Sequence, residues 1–305
     1  MSKVRIATRK SALALWQAEH IKQALQTAHP GLDVELVGYT TSGDRWLSAP
    51  LSDVGGKGLF VKELEQAMLE GAADFAVHSM KDVPVALPDP FVLGAIGYRA
   101  DVRDALVSGT AATLACLPES ARVGSASLRR AAQLKHLRPD LRVEPIRGNV
   151  NTRLNKLDAG DYDALVLASA GLERLGLKDR VSEYLDIEVS LPAAGQGALG
   201  VECCAERADL IALLQPLNDP EIAQCVTAER AVSRGLGADC SLPVAAYAVQ
   251  RDADVFVRAR VGSPDGVTLL HAEATAADPE DAGLQAAEAL CGQGATELLE
   301  SLHGH

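Results

Sequence analysis

The chain has 305 residues, enough to bury two or three hydrophobic cores. Its make-up is that of a globular protein, 48% hydrophobic and 23% charged, and an aromatic share of only 4% leaves little for base-stacking platforms. A formal net charge of -12 argues against nucleic acid or an anionic membrane surface as a partner.

The apolar run at residues 12–16 is too short for a secretory signal. No stretch approaches the roughly 18 apolar residues of a membrane helix. A cytoplasmic protein that does not engage membranes is expected. Residues 4–9, VRIATR, read as a strand. Over 11–27 the apolar positions Leu13, Trp16, Ile21 and Leu25 recur at helical spacing behind Ser11, a plausible cap. A second strand is expected at 33–40. Gly55, Gly56 and Gly58, with Lys57 among them, then form a loop leading into a helix over 60–69 that starts at Phe60. The loop fits neither standard phosphate-cradle spacing and reads as an active-site lid. Residues 73–79 give another strand, ending in HSMKDVP, where His78, Lys81 and Asp82 cluster before Pro84.

The pattern then restarts. Strands are expected at 122–127, 141–146 and 163–169, with helices at 128–137 and 149–159, the latter capped by Asn149 or Asn151. The last strand, DALVLAS, is almost wholly apolar, as in a parallel sheet covered on both faces. Beyond about residue 218 the signal changes. A hairpin is expected from 244–250 and 255–261 around a polar turn at 251–254, with a third strand at 267–275. A helix capped by Asp278, with Pro279 at its first position, runs in pieces to 302. The fold expected is α/β. Two similar domains with doubly wound mixed sheets flank a cleft at their strand ends, and a small α+β domain carries a three-stranded antiparallel sheet. The division expected is 1–98 with 198–216, then 99–197, then 217–305.

Charge is uneven along the chain. Residues 121–180 hold twelve lysines and arginines against seven acidic residues, a balance of +5 that leaves the remainder at -17. In GSASLRRAAQL a strand runs through Ser127 into a helix whose first turn carries Arg129 and Arg130. These oppose the helix dipole and make better sense facing an anion. IRGNVNTRLNKL repeats the device with Arg147 and Arg153, and GLERLG supplies Arg174. Arg9 and Ser11 end the first strand. Arginines thus recur at successive strand ends, which suits a ligand bearing several carboxylates or phosphates. An Asp82 set among them should stay ionised, able to stabilise a cation or move a proton.

The six cysteines, at 116, 203, 204, 225, 240 and 291, include no C-x-x-C pair, and no histidines stand at zinc-ligand spacing, so no metal is expected. In RGLGADCSLPVAAYA, Cys240 follows Gly235 and Gly237 and precedes a strand. Local sequence leaves it open whether this thiol is reactive or a buried filler.

Eight segments, in order, resemble the porphobilinogen deaminase (hydroxymethylbilane synthase) family over essentially the whole chain. They are IATRKSALALWQA, GGKGLFVKELE, HSMKDVP, GSASLRRAAQL, RGNVNTRL, LASAGLERLG, LPAAGQGALGVE and the AERA to LGADCSLPVAAYA stretch. The resemblance implies a periplasmic-binding-protein-like fold. It also implies a transferase that deaminates four porphobilinogen molecules, each through an azafulvene cation, and joins them head to tail into hydroxymethylbilane. The chain would grow on a dipyrromethane cofactor held by a thioether to Cys240. Asp82 would be the catalytic carboxylate, and it, Lys81, Ser127, Arg129 and Arg130 would contact the cofactor. Arg9, Ser11, Arg147, Arg153 and Arg174 would bind substrate carboxylates, with Gln17, Lys57 and Phe60 as further substrate neighbours. The resemblance implies a monomer without an obligate protein partner. Two other readings compete: a non-catalytic binder of a small polyanion in the same cleft, and a nucleic-acid binder using the basic stretch. The second is the weaker, since no recognised nucleic-acid motif occurs. Asp82 and Cys240 distinguish the enzyme from the binder.

Overall fold

A computed structural model describes residues 2–41, 61–239 and 241–302. Lys57, Phe60 and Cys240 therefore lie outside the described residues. In chain order the elements are β1 (Lys3–Arg9), α1 (Ala12–Ala28), β2 (Asp33–Tyr39), α2 (Lys62–Leu69), β3 (Phe75–Ser79), β4 (Phe91–Arg99), β5 (Asp104–Val107) and β6 (Arg122–Gly124). There follow α3 (Leu128–Leu137), β7 (Arg142–Glu144), α4 (Val150–Asp158), β8 (Ala164–Ala168), α5 (Ser169–Arg174), β9 (Glu183–Leu185), β10 (Ala198–Cys204) and α6 (Ala208–Leu214). The last are α7 (Pro220–Gly235), β11 (Val244–Arg251), β12 (Asp254–Gly262), β13 (Leu269–Ala276), α8 (Pro279–Cys291) and α9 (Ala295–Glu300).

The chain divides into two units. The first comprises Met1–Arg99 and Ala198–Ala223. Its sheet has the order β2-β1-β3-β10-β4. β1 pairs in parallel with β2 and β3, while β10 runs antiparallel to both β3 and β4. Side chains alternate along each strand. Val4, Ile6, Phe75 and Val77 meet Ala18, Ile21 and Leu25 of α1, while Ala7 and Ala76 meet Leu64, Ala67 and Met68 of α2. Helices thus cover both faces, which is why FAVHS is buried along most of its length.

The second unit comprises Ala100–Gly197 and Gln224–His305. Its first sheet, β7-β6-β8-β5-β9, repeats the same order and sense, with β5 antiparallel to β8 and β9. Each sheet has one reversed strand: β10, which opens directly after the crossing at residues 197–198, and β5, the first strand after the crossing at residues 99–100. A separate antiparallel sheet, β11-β12-β13, packs Val244, Ala246, Val257 and Val261 against Val232 of α7 and Ala282, Ala286 and Leu290 of α8. Asp252 turns the β11–β12 hairpin at φ 54, a conformation aspartate tolerates better than most residues. This is the α/β architecture expected from sequence. β6 and β7 are shorter than predicted: after Gly124 the chain leaves the ladder to cap α3, and Pro145, lacking an N–H, ends β7.

Candidate active site

In the first unit the strand ends carry the predicted residues. Ser11 caps α1, its Oγ accepting the Ala14 N–H at 3.4 Å, and Arg9 is half-buried at the end of β1. Gln17 lies buried on α1 and donates its Nε2–H to Ser79 Oγ at 2.7 Å, tying the helix to the end of β3. The chain then makes a single 3-10 turn, Met80–Asp82. Three contacts anchor it. Ser79 holds Gln17, Met80 is fully packed, and His78 Nε2 meets Glu202 Oε2 of β10 at 2.7 Å within the sheet. Gly200 makes room for Met80, since a Cβ there would stand 2.2 Å from its sulfur. Lys81 is half-buried and Asp82 exposed, so a rigid base presents a carboxylate to solvent.

In the second unit Ser127 caps α3, its Oγ accepting the Arg130 N–H at 3.5 Å. Arg129 and Arg130 follow in the first turn but fold inward, only 4% and 6% exposed. Both reach Asp104, which heads β5 with no exposed surface. Arg129 donates to its two oxygens at 2.9 and 3.3 Å, and Arg130 donates through Nε and Nη2 at 2.9 and 2.7 Å. Ser190 Oγ and Gln196 Nε2 donate to the same carboxylate at 2.7 and 2.9 Å. Burial alone would raise the Asp104 carboxyl, but the two guanidiniums outweigh it and hold it well below the usual carboxylate range. Burial pushes the Arg129 guanidinium below its ordinary value; Asp104 counters this and repulsion from Arg130 adds to it. Two cations share one anion here. The pair thus retains one positive charge at a helix N-terminus, where free N–H groups add to the field.

Arg147 is half-buried beyond β7. Gly148 beside it takes φ 111, and a Cβ there would crowd Thr152, so only glycine fits between Arg147 and the α4 cap Asn149. Arg153 Nε donates to the Gly148 carbonyl at 2.8 Å. Arg174, at the end of α5, is buried and donates to the Gly197 carbonyl at 2.6 Å. After α7, Gly237 turns the chain at φ 61, whereas Gly235 is helical and serves close packing against Ala287.

Sequence reasoning missed Asp104, Ser190 and Gln196. One signal was available: Asp104 is a charge heading the wholly apolar run ALV. Among the other thiols, burial pushes Cys203 up to about 11 and raises Cys204, which favours the protonated thiol over the thiolate in both. Among the described residues no acidic, histidine and cysteine cluster is suited to hold a metal, and no helix is long and apolar enough to cross a membrane.

Comparison with known proteins follows the same lines. Residues 4–212 match the family model described as porphobilinogen deaminase, dipyromethane cofactor binding domain, and residues 223–292 match the porphobilinogen deaminase C-terminal domain. The porphobilinogen deaminase of Laribacter hongkongensis (strain HLHK9) is 55% identical over 304 residues, covering 99% of each chain. Among solved structures, the periplasmic aliphatic sulphonate binding protein SsuA of Escherichia coli is 15% identical at a TM-score of 0.42, over 77% of this chain and 70% of its own. A nutrient binding protein of Burkholderia cenocepacia, bound to methionine, is 13% identical at a TM-score of 0.45, over 72% and 93%. The near-complete match at 55% identity decides the question: the chain belongs to the porphobilinogen deaminase (hydroxymethylbilane synthase) family.

Proposed function

We propose that in this chain Asp82 is the catalytic carboxylate and Cys240 the attachment point of the family's dipyrromethane cofactor, through a thioether. Lys81, Ser127, Arg129 and Arg130 hold the cofactor. Arg9, Ser11, Arg147, Arg153 and Arg174 bind the carboxylates of porphobilinogen and the growing chain, with Gln17, Lys57 and Phe60 beside them. The family's reaction joins four porphobilinogen molecules, with loss of ammonia, into hydroxymethylbilane. Family membership speaks for this enzyme and not for a non-catalytic polyanion binder.

The observation that carries the residue assignments is the buried pair Arg129 and Arg130 sharing the single carboxylate of Asp104. Their surplus charge suits a group that carries acetate and propionate arms, and guanidinium forks bind carboxylates through paired N–H donors. The residues present therefore fit the cofactor. When bound, that group supplies the pyrrole carbon from which the product chain is built.

The protein's own contribution is electrostatic and positional. Asp82, on its anchored turn, accepts hydrogen bonds from pyrrole N–H groups and stabilises positive charge as it develops at the ring nitrogen. The arginines neutralise carboxylates that accumulate as the chain lengthens, which keeps successive products bound. The Cys240 thiolate is the nucleophile that fixes the cofactor. Three domains (1–98 with 198–216, 99–197 and 217–305), a monomeric state and a cytoplasmic location complete the reading.

Intact-protein mass tests it. The chain is expected to exceed its sequence mass by one dipyrromethane, and Cys240→Ser to lose that excess. A wild-type mass equal to the bare sequence, with no ammonia released from porphobilinogen, would overturn the assignments.

A further inference from the structure

Residues 190–197, within the stretch SLPAAGQGALG, hold the arginine cluster through several different groups. Ser190 Oγ and Gln196 Nε2 donate to Asp104. The Leu191 carbonyl accepts from Arg129 Nη1, and the Gly197 carbonyl from Arg174 Nη2. The same segment runs against β11, where the Pro192 carbonyl accepts the Ala246 N–H at 3.0 Å.

Glu229, on α7 and fully buried, closes this junction. Its Oε2 accepts the Gly195 N–H at 2.7 Å and its Oε1 the Ala248 N–H at 2.9 Å. One carboxylate thus joins the backbone of the arginine-holding segment to that of β11. Burying an ionised carboxylate is costly unless its oxygens are satisfied, and here each oxygen accepts a backbone N–H that an apolar residue would leave unpaired. What the carboxylate adds is a fixed geometry between two backbone segments. In sequence, α7 and β11 flank the connection that contains Cys240.

We propose that Glu229 is a positioning residue for cofactor attachment: it fixes the segment that holds Arg129 and Arg174 against the strand that follows the Cys240 connection. The inference rests on the reading of Cys240 as the attachment point. Glu229→Gln keeps the shape but turns one acceptor oxygen into a donor facing a backbone N–H.

The test is the rate at which chain produced without cofactor gains the mass of one dipyrromethane on incubation with porphobilinogen. Glu229→Gln is expected to load at least tenfold more slowly than wild type. A purely structural role would lower the melting temperature and leave the loading rate of the folded protein unchanged, and that result would overturn the proposal. Amide hydrogen exchange on the wild type decides independently should the variant not fold. Peptides spanning 190–197 and 244–248 are expected to gain protection together on loading, and a gain confined to one of them would overturn the coupling. A wild-type chain that gains no mass would instead overturn the reading of Cys240 on which the inference rests.

Discussion

Replacing Asp104 by asparagine strands two buried cations. The carboxylate has no exposed surface and accepts from Arg129, Arg130, Ser190 and Gln196. Asparagine keeps the volume, removes the charge and turns an NH2 group toward existing donors. Removing one partner of a buried ion pair costs about 3–5 kcal/mol, because the remaining charge stays desolvated. That is a large part of the roughly 5–15 kcal/mol by which folded proteins are stable. For a unit of this size each kcal/mol shifts the melting temperature by about 2–4 °C, so a fall of roughly 6–20 °C is expected. Urea denaturation at pH 7 measures the loss. A double-mutant cycle with Arg130→Met isolates the pair: removing one stranded cation should recover about 2 kcal/mol relative to additivity. A loss below about 1 kcal/mol, or additive costs, would refute the charge-sharing argument. The folded-state pKa of Asp104 lies below its unfolded value of about 3.9, so its contribution is fully present above that value and is lost as pH falls toward the folded pKa. The gap between wild type and Asp104→Asn should therefore narrow below about pH 4.

Asp82→Asn is expected to retain the cofactor mass while kcat falls by about 100-fold or more, the scale of removing one preorganised electrostatic contact; a kcat within tenfold of wild type would exclude the assigned role. Gly200→Ala drives a methyl group into the buried sulfur of Met80 and should cost about 1–3 kcal/mol. Because Met80 begins the turn that ends in Asp82, kcat should fall as well, and an unchanged denaturation midpoint would show that the turn yields freely. Burial, reinforced by the charge of Glu202, pushes the Glu65 carboxyl above its ordinary value, while His78 and Lys62 pull it down. The native state then binds the extra proton between about pH 4.3 and the folded value, so stability falls as pH rises through that window. Glu65→Gln should flatten this slope and stabilise the protein at pH 8; identical slopes in both proteins would contradict it.

Much of the secondary structure was legible because its causes are local. α3 covers residues 128–137 as predicted, since Ser127 can cap only the segment that follows it and Leu128–Leu137 keeps helical spacing. The β11–β12 hairpin was readable from alternation around a polar turn, and β8 from an apolar run too short for a helix. Alternating strand and helix signals, with a change near residue 218, were enough to infer two like sheets and a third of another kind. The arginines at strand ends were visible as residues, but the anion that two of them face was not. Asp104 stands some 25 positions before Arg129 and meets it only because β5 pairs between β8 and β9. Glu229 was not singled out from the sequence, and only folding buries it against the backbones of residues 195 and 248. Caps, turns and periodicity depend on neighbours a few positions away, so they can be read along the chain. The partner of a buried charge depends on which strands lie side by side, and that pairing balances every element's apolar surface at once.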